Sequence, residues 1–181
     1  DQFAARFAEK NDGERPSLPA LFNSLDDTTI ALQYAYIADN PHPLGEKNLM
    51  DRGKGDHAYH ERHEQVQGFL RDYLNAFGYY DIFLVDLKGR IVYSQYKELD
   101  YATSLTDGPY ADSGIGKAYR KARDANDPNF VHLEDYARYL PSYQDPASFV
   151  ASPIFNHNKE KVGVAIFQMP LARINQIVTE R

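Results

Sequence analysis

Asp81-Ile82-Phe83-Leu84-Val85-Asp86, Leu87-Lys88-Gly89, then Arg90-Ile91-Val92-Tyr93-Ser94-Gln95-Tyr96 is the stretch that decides the fold. The first run is apolar, short and bounded by aspartates, which reads as a strand. Gly89 closes a tight turn, and residues 90–96 return as the antiparallel partner. Ile82 and Leu84 face one side and Phe83 and Val85 the other, so the strand is covered on both faces.

Upstream of the hairpin the period is helical. Residues 1–10 read as a helix end carrying Phe3 and Phe7, stopped by Asn11-Asp12-Gly13, with Pro16 and Pro19 keeping the next stretch irregular. Leu25, Ile30, Tyr34 and Ile37 predict a helix over 24–38, ended by Asn40-Pro41-His42-Pro43. A second helix is predicted over 57–77, with Asp56 as N-cap and Gly78 as the C-terminal stop. Its apolar stripe runs through Tyr59, His63, Val66, Phe69, Leu70, Tyr73, Leu74 and Phe77.

Downstream, residues 97–113 carry turn signals alone, and 114–124 read as a short helix. Strands are predicted over 130–134, 148–155 and 162–169, the last two joined through Asn156-His157-Asn158-Lys159. Pro170 starts a last helix with Leu171, Ile174, Ile177 and Val178 on one side. The expected architecture is α+β: a central antiparallel sheet of about five strands, with the helices of 24–77 on one face. Three stretches follow: an N-terminal helical segment (1–78), a core (79–170) and a C-terminal helix (171–181).

Composition excludes several classes. A chain of 181 residues buries roughly 70% of its unfolded surface, enough for a real core. Lys+Arg number 20 against 26 Asp+Glu, a net charge of −6 with no basic block, which argues against nucleic acid as a partner. No run of about 18 apolar residues is present to span a membrane. There is no cysteine, hence no disulfide, thiolate metal site or Cys nucleophile. Fourteen tyrosines without a tryptophan suit a polar pocket or a strand-rich surface.

No catalytic motif is complete. His57, His60 and His63 sit beside Glu61 and Glu64, but Glu64 stands where a zinc-protease helix needs its second His. These residues read as a solvated helix face. Gly114-Ile115-Gly116 lacks the third glycine and the parallel strand of a dinucleotide loop. Gly45-Glu46-Lys47 is not a full phosphate loop, and no Gly-x-Ser-x-Gly occurs. No enzyme, metal or cofactor is expected.

Two segments mix aromatic rings with donors and acceptors: 93–103 and 134–145. A pocket for a small polar ligand needs that mixture; tyrosine-rich loops over a sheet edge give it too. The expected ligand-binding residues are Tyr93, Lys97, Tyr110, Asp135, Tyr136, Tyr143 and Ser152, forming a cup on the face away from the long helices. The tyrosines would wall the cup, Lys97 would pair an anionic group, and Asp135 a cationic or hydroxyl group. Phe3, Phe7 and Leu21 are apolar for an exposed end, which predicts a dimer through the N-terminal helices.

Tyr79–Asp86 with Gly89 and Val92-Tyr93 resembles the opening hairpin of a Cache sensor domain, a PAS-like extracytoplasmic fold. The resemblance extends through Ile37–Lys47, Lys97–Tyr101, Gly108-Pro109-Tyr110, Phe149–Ile154, Gly163–Pro170 and Ile174-Asn175, about residues 25–178. It implies the ligand-sensing part of a bacterial transmembrane receptor, periplasmic, homodimeric in the intact protein and anchored outside this stretch. A methyl-accepting chemotaxis protein comes first. A histidine kinase, a nucleotide cyclase or a ligand-free dimerisation domain are the alternatives. The Arg-x-Trp-Tyr element of amino-acid-binding members is missing, and Tyr143-Gln144-Asp145 matches only part of their pattern.

Overall fold

In the computed structural model, which describes residues 2–171, the hairpin forms as the sequence predicts. β1 (Asp81–Val85) and β2 (Ile91–Ser94) pair antiparallel, with Leu84 opposite Tyr93. Gly89 takes φ 99°, open to glycine at little cost, and the Asp86 carboxylate accepts from the Lys88 and Arg90 amides, each at 2.9 Å.

β4 (Pro146–Phe155) and β5 (Lys161–Gln168) make the second hairpin, and β3 (His132–Arg138) is an outer edge. The sheet order is β2-β1-β5-β4-β3, antiparallel throughout. β3 starts later than the predicted 130–134 and runs further. Phe130 is held in a turn, its amide N–H donating to the Asp127 carbonyl, and a bulge between Glu134 and Ala137 carries the pairing on to Arg138.

α5 (Gly114–Asp124) covers one face. Its Ile115, Ala118, Tyr119 and Ala122 recur at helical spacing and pack on Phe83, Val85, Phe149, Ala151, Val164 and Ile166. Full burial of each large apolar side chain here contributes roughly 1.5–3 kcal/mol.

α4 (Ala58–Phe77) lies on the opposite face, where Tyr59 donates to the Val92 carbonyl at 2.8 Å and Tyr73 meets Phe167 at 6.2 Å. Its inner side differs from the predicted stripe. His60, His63, Gln67 and Leu74 are buried, whereas Val66, Phe69 and Phe77 are exposed. Of the residues read as a solvated face, His57, Glu61 and Glu64 are exposed, whereas His60 and His63 are not. His60 Nδ1 meets the Tyr36 hydroxyl at 2.9 Å, and His63 Nδ1 meets the Asp51 carbonyl at 2.7 Å. Such partners make a buried imidazole affordable. The N-cap is His57, whose ring accepts from the Tyr59 amide, rather than Asp56.

The N-terminal third is more helical than predicted. α1 (Gln2–Lys10) is followed by α2 (Leu18–Phe22), a short helix in the stretch expected to be irregular, because Pro19 falls in its first turn and is tolerated there. α3 (Asp27–Gln33) starts on an Asp26 cap and runs into a π-turn at Tyr34–Ala38. α3 sits over the 99–102 segment rather than on the sheet. Thr29 donates to the Ala102 carbonyl at 2.9 Å, and Gln33 to Leu99 and Tyr101 at 2.9 and 2.8 Å. The helix expected from Pro170 onward lies outside the described residues.

Candidate ligand-binding site

After β2 the chain turns off the sheet, and a buried carboxylate fixes where it goes. Asp81 Oδ1 accepts from the amides of Ile82 at 2.6 Å, Gln95 at 2.8 Å and Tyr96 at 3.3 Å. Lys97 and Ala102 then adopt φ of 55° and 66°, the left-handed region that costs about 1–2 kcal/mol for a residue with a Cβ. These two turns bracket Glu98, Leu99, Asp100 and Tyr101.

The bracketed segment drives acids inward. Asp100 is fully buried, and its Oδ2 accepts from the Tyr139 hydroxyl at 2.6 Å. Glu98 Oε1 accepts from the Tyr80 hydroxyl at 2.9 Å. Gln168, at the end of β5, donates to Ser142 Oγ at 2.9 Å. Tyr110 stands edge-on to Tyr139 at 5.8 Å, and Tyr139 to Phe149 at 5.1 Å. Four buried atoms of this group have no hydrogen-bond partner among the described residues: Glu98 Oε2, Asp100 Oδ1, Tyr110 Oη and Gln168 Oε1.

Burial, with Asp100 and Asp81 nearby, pushes the Glu98 carboxyl well above the usual range. Burial raises Asp100 to about 6, against the pull of the Tyr139 bond. Asp81 is also pushed up, by burial and then by Asp100, and burial pulls the Lys97 ammonium down. Burial also raises the Tyr110 and Tyr139 phenols. A group of acids set among phenols, with acceptor oxygens left over, can bind a small molecule that offers hydrogen-bond donors.

The seven residues expected from the sequence are not brought to one place. Tyr110 belongs to the cluster, and Tyr143 follows its Ser142. Lys97 is fully buried but turned elsewhere. Its amine lies over the rings of Tyr93, Tyr101 and Tyr36 at 4.4, 5.3 and 5.8 Å and donates to the Ser94 carbonyl. Tyr93 is on the α4 face, its hydroxyl donating to Gln67 at 2.7 Å, so it does not share the face away from the long helices. Alternation decides this: Tyr93 is paired with Leu84, on the side opposite Phe83.

Asp135 is exposed on edge strand β3 and Tyr136 half-buried beside it. Ser152 is half-buried in mid-β4, opposite Ala165 and on the face of Leu84. Glu98, Asp100, Tyr139 and Gln168 were missed as individuals. Glu98, Asp100 and Tyr139 lie inside the two tyrosine-rich segments, and Gln168 is a polar residue closing the apolar run Val162–Phe167 of β5. That polar interruption was the available signal.

The N-terminal helix reaches this region through Tyr143. Tyr143 and Gln144 take φ of 58° and 65°. Phe3 stacks on the Tyr143 ring at 4.9 Å, the Arg6 guanidinium lies 5.2 Å from its centre, and Lys10 pairs with Asp145. Phe7 is buried. Phe3 and Phe7 thus find partners within their own chain. Beside Glu98 and Tyr143 opens a cavity of about 700 Å³, bounded by α1, α3 and the 40–47 loop. Among the described residues no His, Asp or Glu group is arranged to hold a metal, and no helix is long and apolar enough to cross a membrane.

No protein-family model matches the chain, and no curated protein does. Solved structures do. The sensor domain of the V. cholerae histidine kinase DctB superposes with a TM-score of 0.50 at 16% identity, over 100% of this chain and 62% of that one. The ligand-binding domain of the P. fluorescens chemoreceptor CtaA, solved with L-serine, matches at 0.46 and 14%, over 84% and 52% of the two chains. The E. coli DcuS sensor domain matches at 0.44 and 14%, over 99% and 100%. The α+β, PAS-like fold read from the sequence is thus the fold of the DctB sensor domain, of which this chain spans about 62%.

Proposed function

We propose that this chain is the ligand-sensing part of a transmembrane receptor, binding a small polar solute at the cluster of Glu98, Asp100, Tyr110, Tyr139 and Gln168. One observation carries the reading: four buried polar atoms have no partner among the described residues, three of them on the 97–113 loop (Glu98 Oε2, Asp100 Oδ1, Tyr110 Oη) and the fourth, Gln168 Oε1, at the end of β5. Leaving a buried polar group unsatisfied costs about 1–3 kcal/mol, so a ligand atom that satisfies it gains more than it would on the surface. The fold shared with the DctB sensor domain supports the sensing role.

Ligand entry requires the 97–113 and 139–145 loops to shift over the sheet. β5 carries Gln168 and leads toward the C-terminal segment, so displacement there would reach the rest of the receptor. The ligand can bias that change only by its differential affinity for the two states, on the usual scale of about 1–3 kcal/mol. A chemoreceptor, dimeric and extracytoplasmic, is the receptor type proposed. A histidine kinase or nucleotide cyclase would use the same input.

The test is a thermal-shift screen of small polar metabolites, followed by titration calorimetry on the hits. A stabilising compound whose affinity falls about tenfold or more in Tyr139→Phe and Gln168→Ala is expected. No stabilising compound, or hits indifferent to both substitutions, would refute the assignment.

A further inference from the structure

Beside Tyr143 and Glu98 the chain encloses a second space that the polar cluster does not use. The cavity, about 700 Å³, falls in the range of small-molecule sites. α1, α2, α3 and the 40–47 loop bound it, with Leu99 and Tyr143 contributed by the two cluster segments. Asp100, Tyr110, Tyr139 and Gln168 do not line it.

Its walls are apolar and rich in rings. Phe3 stacks on Tyr143 with ring centres 4.9 Å apart, and both border the cavity. Phe22, Ile30 and Tyr34 border it as well and are 49%, 51% and 65% exposed, large side chains left open to solvent. Apolar surface gathered around one concavity differs from the scattered single exposures of an ordinary surface and marks a place where something binds.

The charged side chains that border the cavity, Lys47, Lys97 and Glu98, have partners within the chain. Lys47 is 6% exposed and donates to the Asn40 and His42 carbonyls at 3.2 and 2.6 Å. Lys97 is 1% exposed, donates to the Ser94 carbonyl and lies over the Tyr93 ring at 4.4 Å. Glu98 accepts from Tyr80 through Oε1, and its Oε2 is closed off from solvent within the cluster. A charged ligand would enter an apolar space that offers it no counter-ion, and taking an unpaired charge out of water is strongly disfavoured. A charged head kept in water instead would hold the body of the ligand back from the walls.

We infer that this cavity is a second binding site, separate from the polar cluster, for a small uncharged aromatic molecule held by the apolar walls without an ion pair. An aromatic body fits because Phe3, Phe22, Tyr34 and Tyr143 present rings around one space, and ring pairs add to the gain from buried area alone.

The chain has no tryptophan, so an indole ring can be followed by its own fluorescence. The experiment titrates the protein into indole, indole-3-acetate and tryptamine at neutral pH and reads the blue shift of the indole emission, for the wild type, Phe22→Asp, Ile30→Asp and Tyr139→Phe. Indole should bind saturably, about tenfold or more tighter than either charged relative. Phe22→Asp and Ile30→Asp put a carboxylate on the wall at half-exposed positions, where the fold tolerates it, and each should weaken indole about tenfold. Tyr139→Phe should leave indole affinity unchanged while weakening a ligand of the cluster, so the two sites fail separately. No saturable blue shift, affinity for indole-3-acetate or tryptamine equal to that for indole, indifference to both aspartates, or weaker indole binding in Tyr139→Phe would each overturn the inference.

Discussion

Replacing Asp100 by asparagine isolates the cost of the buried acids. The side chain keeps its shape, and the Tyr139 hydroxyl, now 2.6 Å from Oδ2, can still donate to the amide oxygen. What disappears is ionisation. Burial pushes the Asp100 carboxyl up from its ordinary 3.8 to about 6. Because the folded value is raised, the folded state binds more protons than the unfolded one between those values. Stability from this group is full below about pH 4 and is lost as pH rises through about 6, by about 3 kcal/mol. Asparagine does not titrate. The variant should therefore gain on the wild type as pH rises, by about 2.4 kcal/mol between pH 4 and 8. Asp81 and Glu98 reinforce the effect, since Asp100 is among the causes raising both. Urea unfolding of both proteins at pH 4, 6 and 8 measures the difference, and titrations elsewhere in the chain cancel in it. A stability difference that stays flat across this range, or that favours the wild type more at pH 8, would refute the argument that Asp100 is buried as an acid.

Two further substitutions test the frame around the site. Gly163→Ala puts a Cβ 2.7 Å from the Val85 carbonyl oxygen, a backbone atom of the neighbouring strand that cannot swing away, so a loss of about 1–3 kcal/mol is expected in urea unfolding. Asp26→Ala removes the α3 cap, which accepts from the Thr29 amide at 2.7 Å, together with the Arg90 ion pair. About 1–2 kcal/mol should be lost, most of it persisting at 1 M salt because the half-exposed ion pair is screened and the cap is not. The Arg90 hydrogen bond, with the Thr29 amide, holds Asp26 down to about 2, so its contribution is present above about pH 4 and fades as pH falls through 2.

Regular structure was legible wherever one period dominated. The 81–96 hairpin, the 148–169 hairpin and the 114–124 helix follow from alternation, glycine turns and helical spacing, and each forms close to its predicted bounds. α4 was legible as a helix but not in orientation. Hydrophobicity alone put Phe69 and Phe77 inside, yet tertiary hydrogen bonds from Tyr36 and Asp51 turned His60 and His63 inward instead. The candidate site was legible as two segments and not as residues. Which side chain of Lys97-Glu98-Leu99-Asp100 points inward depends on left-handed backbone at Lys97 and Ala102, and neither residue type signals it. Tyr93 and Ser152 fell on the other face because strand register, not loop composition, decides their direction.

The strain and the buried acids belong to one balance. Of six non-glycine residues at positive φ among the described residues, four (Lys97, Ala102, Tyr143 and Gln144) lie in the two segments that form the cluster. Each costs about 1–2 kcal/mol, and the segments would relax if they could leave the sheet. They are held by named bonds: Gln33 to the Leu99 and Tyr101 carbonyls, Thr29 and Arg90 to Ala102, and Tyr139 to Asp100. Relaxation would also return Glu98 and Asp100 to water, where their free oxygens find partners. The closed loop is thus opposed twice, by backbone strain and by unsatisfied carboxyls, and opposed through the same few residues. A ligand that fills Asp100 Oδ1 or Glu98 Oε2 removes the second opposition without touching the first. It therefore favours the closed loop by about the cost of the atoms it satisfies, 1–3 kcal/mol each, which is the scale a sensing domain needs.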